Sequence, residues 1–210
     1  MRGRRGHPRF SVTKSDGVLN VLREVSVRHA SNGELVVIDR EPRNANEILT
    51  LETIADGTSI TTRVRVVANT PVIRDGQVLH EVRLTRLIEG EAIGELMIRF
   101  EDPRQGQEML ATLTRHIRVR ILNCSAEGCL LEATASLLLG TVGTLHVSLG
   151  GNQFDDQIQV VRCEHMKGTE CYHVGTRFLS ATPPYAGTLR YSMRCDVGGL
   201  VGRLDTPRED

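Results

Sequence analysis

The sequence predicts an all-β protein. Three observations carry this reading. Short runs that alternate apolar and polar residues recur along the chain. Turn-forming Asp-Gly, Asn-Gly and Pro-containing stretches separate those runs at intervals of roughly 8–12 residues. The material for a core is aliphatic, with aromatics at only 3% and no Trp. Taken together these features suggest small barrels or sandwiches built from Val, Leu and Ile.

At 210 residues the chain fits one large domain or two of about 100 residues each. Lys plus Arg is 26 and Asp plus Glu is 26. Zero net charge removes the bulk attraction that a nucleic-acid polymer would exploit. The distribution is less even: Arg2, Arg4, Arg5 and Arg9 crowd the first nine residues, and Glu209 and Asp210 close the chain. No run approaches the roughly 18 apolar residues of a membrane helix, and the basic start lacks the apolar stretch of a secretory signal. Five Cys, an odd number at positions 124, 129, 163, 171 and 195, fit free thiols in a reducing compartment better than a disulfide framework. The expected location is the cytoplasm.

In order along the chain, residues 1–9 read as a flexible Arg-rich arm, with Arg5 and Arg9 in an R-x-x-x-R spacing. Asp16-Gly17 reads as a turn. Val18 to Val27 is rich in Val and Leu. Its later part alternates as a strand, while Leu19 to Leu22 fits strand or helix. A corner at His29–Glu34 leads to the strand Leu35–Ile38. Ile48 to Ile54 precedes a second Asp-Gly turn, and Ile60 to Val67 is a strand with Arg63 and Arg65 on one face. Arg74-Asp75-Gly76-Gln77 is a hairpin turn between Pro71–Ile73 and Val78–Leu87. Gln107 to Thr114 fits a short helix or a strand. Ile117 to Leu122 alternates apolar and basic residues and leads into the polar corner Asn123–Gly128 and the strand Cys129–Ala133. The strands Gly143–Leu149, Gln157–Cys163 and Cys171–Leu179 follow, the last two joined by a hairpin at Met166–Thr169. Thr182-Pro183-Pro184 is a helix-start signal for a short closing helix over Tyr185–Arg194. From Asp196 the chain reads as a frayed tail.

The second half repeats the first at an offset of about 94 residues, His29 to Asn123. Val25–Arg28, the Ser31 corner and Leu35–Ile38 match Ile117–Leu122, the Ser125 corner and Cys129–Ala133; Gly57–Val64 matches Gly143–Leu149. Acidic and glycine-rich residues 91–112 read as a linker. The expected segmentation is 1–90 with the Arg arm, the linker 91–112, a second unit over 113–195 and a tail over 196–210.

Asn123-Cys124-Ser125-Ala126-Glu127-Gly128 followed by Cys129-Leu130-Leu131 resembles the (D/N)-x-S-x-x-G signature of PilZ domains. Tyr172 to Leu179 is similar to the closing strand of that family, where a tyrosine, a glycine and a phenylalanine recur. The resemblance covers residues 115–195 well and residues 4–88 loosely. It implies two tandem six-stranded antiparallel β-barrels, the first degenerate, with a short C-terminal helix. It also implies a bacterial receptor for cyclic di-GMP that takes part in signal transduction. Residues of this sequence that match the ligand-binding pattern are Arg4, Arg5 and Arg9 of the arm, Ser31 of the first corner, and Asn123, Ser125 and Gly128 of the second. Arginine suits the role because it forms bidentate bonds to phosphate and stacks on purines. The pattern is split, however. The first corner has His29 and Glu34 where the signature has Asp/Asn and Gly, and the second corner lacks a clean R-x-x-x-R before it. The arm therefore closes either on its own corner or on the intact one, in the same chain or in a dimer mate.

Cys163, His165, Cys171 and His173 form a C-x-H-x5-C-x-H set on one hairpin. Such donors suit zinc if their faces coincide, but the spacing is not that of a standard finger, and no metal is expected. No nucleophile elbow, phosphate loop or H-E-x-x-H motif appears, so no enzymatic activity and no cofactor are expected. The leading expectation is a cyclic di-GMP receptor that relays binding to a protein partner, with a homodimer as a further expectation. The alternative is a degenerate interaction module that has kept the barrel and lost the nucleotide.

Overall fold

The computed structural model describes residues 10–12, 15–29, 34–55, 58–87, 109–149, 152–179, 185, 187–191 and 201–203. The all-β expectation is borne out. The described strands are β1 (Phe10–Val12), β2 (Asp16–His29), β3 (Leu35–Asp39), β4 (Ile48–Ala55), β5 (Thr58–Arg74), β6 (Gln77–Arg86), β7 (Met109–Cys124), β8 (Cys129–Ala133), β9 (Val142–Leu149), β10 (Asn152–His165), β11 (Tyr172–Phe178) and β12 (Val201–Arg203). Among the described residues a single helical turn lies at 189–191. Among the described residues no helix is long and apolar enough to cross a membrane.

The chain divides into two compact units, Leu22–Arg115 and Met1–Val21 with His116–Asp210. Two six-membered circuits run through the strand order. One is β7-β4-β5-β6-β3-β2, closed by a β7–β2 pairing. The other is β2-β9-β10-β11-β8-β7, closed by the same pairing. The two are topologically equivalent, with β2, β3, β4, β5 and β6 of one answering to β7, β8, β9, β10 and β11 of the other. This equivalence corrects part of the sequence alignment of the halves. β9 answers to β4, not to the start of β5, because the repeat matches strand order rather than turn spacing.

The core of the Leu22–Arg115 unit is wholly aliphatic, from Val25 and Val27 through Leu35, Leu49, Leu51, Val64 and Leu84 to Leu113. Along β3 burial alternates residue by residue, as the period of two requires. Each such side chain contributes on the order of 1.5–3 kcal/mol by leaving water. One end of this unit holds a buried ionic cluster. The Arg43 Nε donates to Asp39 Oδ2 at 2.9 Å, Arg43 also bonds Asp39 through Nη2, and Arg23 pairs with Glu41. Two cations and two carboxylates neutralise one another, as charges inside a barrel must.

The core of the other unit joins Leu19, Ile117, Ile121, Cys124, Cys129, Leu131, Leu145, Ile158, Val174 and Leu189. Here Asp156 and Arg190 form a buried ion pair, with Nε 2.9 Å from Oδ1. Arg190 also donates to the Leu179 carbonyl at 2.8 Å and lies 5.6 Å from the centroid of the Phe178 ring. This pair fixes the helical turn to β10.

Two local expectations need correction, and one open alternative is decided. Asp16-Gly17 is not a turn but the start of β2, pairing with Ser148 and Val147 of β9. Glycine is needed there for close strand approach, since a Cβ on Gly17 would lie 2.6 Å from the His146 carbonyl oxygen. For the stretch from Met109 the helix alternative falls and the strand alternative holds: it runs on to Cys124 as one 16-residue strand. Val201–Arg203, read as frayed tail, is a strand paired with β1. The hairpin at Asp75-Gly76 does form, with positive φ at both residues (49° and 74°), as a type I′ turn demands.

Candidate functional site

The corner after β7 is built from its own backbone. The Ser125 N–H donates to the Gly128 carbonyl at 2.9 Å, and the Ser125 hydroxyl donates to the same oxygen at 3.2 Å. That hydroxyl also accepts the Glu127 N–H at 3.3 Å. With its one proton spent inward, Ser125 keeps a single free lone pair, so it can serve a ligand only as an acceptor.

Gly128 serves close packing: a Cβ there would lie 2.0 Å from the Thr176 carbonyl oxygen and 2.9 Å from the Arg177 Cα. The corner lies against β11, where the Phe178 N–H donates to the Glu127 carbonyl at 2.8 Å. The Thr176 hydroxyl donates to the Cys129 carbonyl at 3.0 Å.

Cys124 and Cys129 stand directly opposite each other across the hairpin. Both are buried free thiols. Burial pushes the Cys129 thiol up to about 12, against a smaller opposing effect of its bond to Thr176. Burial likewise raises Cys124 well above the usual thiol range, and Cys129 beside it adds to the rise. These thiols are inert packing groups at neutral pH.

Asn123 follows a bulge in β7 and pairs with Leu130 of β8. It is half-buried. On its other side stands β1, with Ser11 opposite Asn123 and Phe10 opposite Cys124. The Ser15 hydroxyl, fully buried, donates to the Ile121 carbonyl at 2.9 Å and accepts the Ile121 N–H at 3.0 Å. The N-terminal segment is therefore tied to β7 on both sides of Val12. Sequence reasoning missed this tie. The alternation Phe10, Val12 marks a strand but not its partner, and a lone serine gives no signal of what it bonds.

Arg4, Arg5 and Arg9 lie outside the described residues, as does Ser31. His29 is described as the last residue of β2, opposite Leu35 of β3. Asn123, Ser125 and Gly128 come together in one corner.

The hairpin Cys and His residues do not share a face. Cys163 stands opposite Val174 and His165 opposite Tyr172, while His173 stands opposite Glu164. The register thus puts Cys163 and His165 on one face and His173 on the other. The Cys163 sulfur accepts the Leu137 N–H at 3.5 Å, and the His165 ring packs edge-on to Tyr172 with centroids 5.1 Å apart. Among the described residues no three His, Cys, Asp or Glu side chains group closely enough to hold a metal ion.

No family model matches the chain, and no curated protein does. Among solved structures, it is similar to the crystal structure of the Borreliella burgdorferi PlzA protein in complex with c-di-GMP. The identity is 9% over 84% of each chain, with a TM-score of 0.27. Similarity at that score carries no argument about the corner.

Proposed function

We propose that the chain is a cyclic di-GMP receptor whose ligand is shared between the N-terminal arm and the corner after β7. In this reading Arg5 and Arg9, with Arg4 assisting, hold phosphate and stack on guanine. Asn123 bonds the base edge, and Ser125 accepts a guanine N–H through its remaining lone pair. The observation that carries the reading is the register of β1 on β7. Phe10 opposes Cys124 and Ser11 opposes Asn123, so the described start of the N-terminal segment lies beside the corner. This supports a reading in which the two halves of the split motif, over a hundred residues apart in sequence, serve one ligand. The first corner is not needed for binding, which accords with its loss of the Asp/Asn and final Gly.

Calorimetric titration of cyclic di-GMP tests this directly. Wild type should bind, an Arg5→Ala/Arg9→Ala variant should lose at least about a hundredfold in affinity, and Asn123→Ala at least about tenfold, the scale of losing charge-assisted and neutral hydrogen bonds respectively. Binding that depends on Arg5 but ignores Asn123 would put the ligand elsewhere.

The second reading, an interaction module without nucleotide, is favoured by one observation: the Ser125 hydroxyl already completes its own turn. Absence of heat in the wild-type titration selects it. In either reading the protein works in the cytoplasm as a non-enzymatic relay to a protein partner.

A further inference from the structure

Among the described residues β1 spans three residues, and its ladder with β7 comprises two residue pairs. So short a strand on one neighbour is marginal in water. Its other edge is taken by β12, with Phe10 opposite Arg203, Ser11 opposite Gly202 and Val12 opposite Val201. The local strand order is β12-β1-β7, and more residues of β1 pair with the C-terminal strand than with β7. All three strands belong to the unit formed by Met1–Val21 and His116–Asp210.

We infer that β12 is a positioning element for β1: it clamps β1 onto β7 and so sets the affinity of the corner for its nucleotide. The inference rests on the function proposed above and adds to it a route for the relay. If docking of β12 raises ligand affinity, ligand binding must strengthen the docking of β12 by the same factor, because coupling between two binding events is reciprocal. Residues 201–203 then report ligand occupancy to a partner protein. A β1 held in place in advance also loses less conformational entropy when the ligand arrives.

The test uses the full chain with Val201→Pro/Gly202→Pro. Successive backbone N–H groups of a strand point to opposite sides, so one of two adjacent prolines must remove a donor that faces β1. Cyclic di-GMP affinity should fall about tenfold or more in this variant, in the range of ordinary coupling factors. In wild type, saturating cyclic di-GMP should slow hydrogen exchange of the amides at 201–203. The unfolding midpoint of the variant, measured in parallel, controls for general damage. Wild type that binds while the double-proline variant binds equally well overturns the clamp and leaves the function standing. Wild type that does not bind overturns the function. The clamp is then decided by ligand-free hydrogen exchange of the Phe10–Val12 amides: unchanged protection in the variant rejects it, and lost protection keeps it.

Discussion

A methyl group at position 128 would sit 2.0 Å from the Thr176 carbonyl oxygen. That oxygen is main chain, in a strand whose next residues are bonded to the corner, so it has little freedom to retreat. Gly128→Ala should therefore destabilise by about 3 kcal/mol or more, at or beyond the upper end of ordinary overpacking. Urea unfolding measures it, and a loss under about 1 kcal/mol would show that the corner and β11 can part without strain. The contrast with Ser125 is informative. The N-x-S-x-x-G spacing was legible because short polar residues bond their own turn, and Ser125 does so. Why the last position must be glycine was not legible, because the atom that excludes a side chain belongs to a strand 48 residues further on. A single sequence shows what a residue can do for its neighbours in the chain, and it is silent about who approaches from elsewhere.

At the scale of elements, the turn at 189–191 is held less by helix propensity than by the ion pair beneath it. Asp156 and Arg190 are both almost fully buried, at 4% and 6% exposure. Burial pushes the Asp156 carboxyl above the ordinary carboxylate range, and the backbone N–H, guanidinium bonds and charge of Arg190 offset this only in part. The folded state then holds that proton more tightly than the unfolded state. The contribution of Asp156 to stability is accordingly greatest below its unfolded value and declines as pH rises through the raised folded value. Arg190→Met should cost about 3–5 kcal/mol at pH 7, because it leaves a buried charge without a partner. The loss should shrink as pH falls toward 4, since the stranded carboxyl can take up a proton. Denaturant unfolding at several pH values reads this out; a pH-independent loss would assign the effect to packing on Phe178 instead. The Thr-Pro-Pro signal pointed to a helical segment here, but nothing local pointed to a partner 34 residues upstream. Strand faces were similarly legible from alternation, whereas pairing was not. Asp16-Gly17 looks like a turn by composition, and only the approach of β9 shows that the glycine serves a close strand contact.

At the scale of the whole molecule, the two compact units do not follow the chain in order. Sequence punctuation at Pro103 and Gly106 suggests cutting the chain in order, into 1–90 and 113–195. The strand order joins the halves differently. β2 and β7, 14 and 16 residues long, each take part in both six-membered circuits. Val25 and Val27 of β2 lie in one core, while Leu19 and Val21 of the same strand lie in the other. Ala111 and Leu113 of β7 are likewise separated from Ile117 and Ile121. A fragment ending at residue 90 lacks β7 and cannot close the circuit that contains β3 to β6. A fragment starting at residue 113 lacks β2 and cannot close the one that contains β8 to β11. A six-membered circuit that has lost one strand exposes two strand edges and one side of its core. We therefore expect neither fragment to fold alone. Each should give a collapsed amide spectrum and no cooperative thermal transition, and mixing the two should restore dispersion by supplying each with its missing strand. If either fragment folds by itself, the shared strands are dispensable, and the two halves are separable domains in the order in which the sequence writes them.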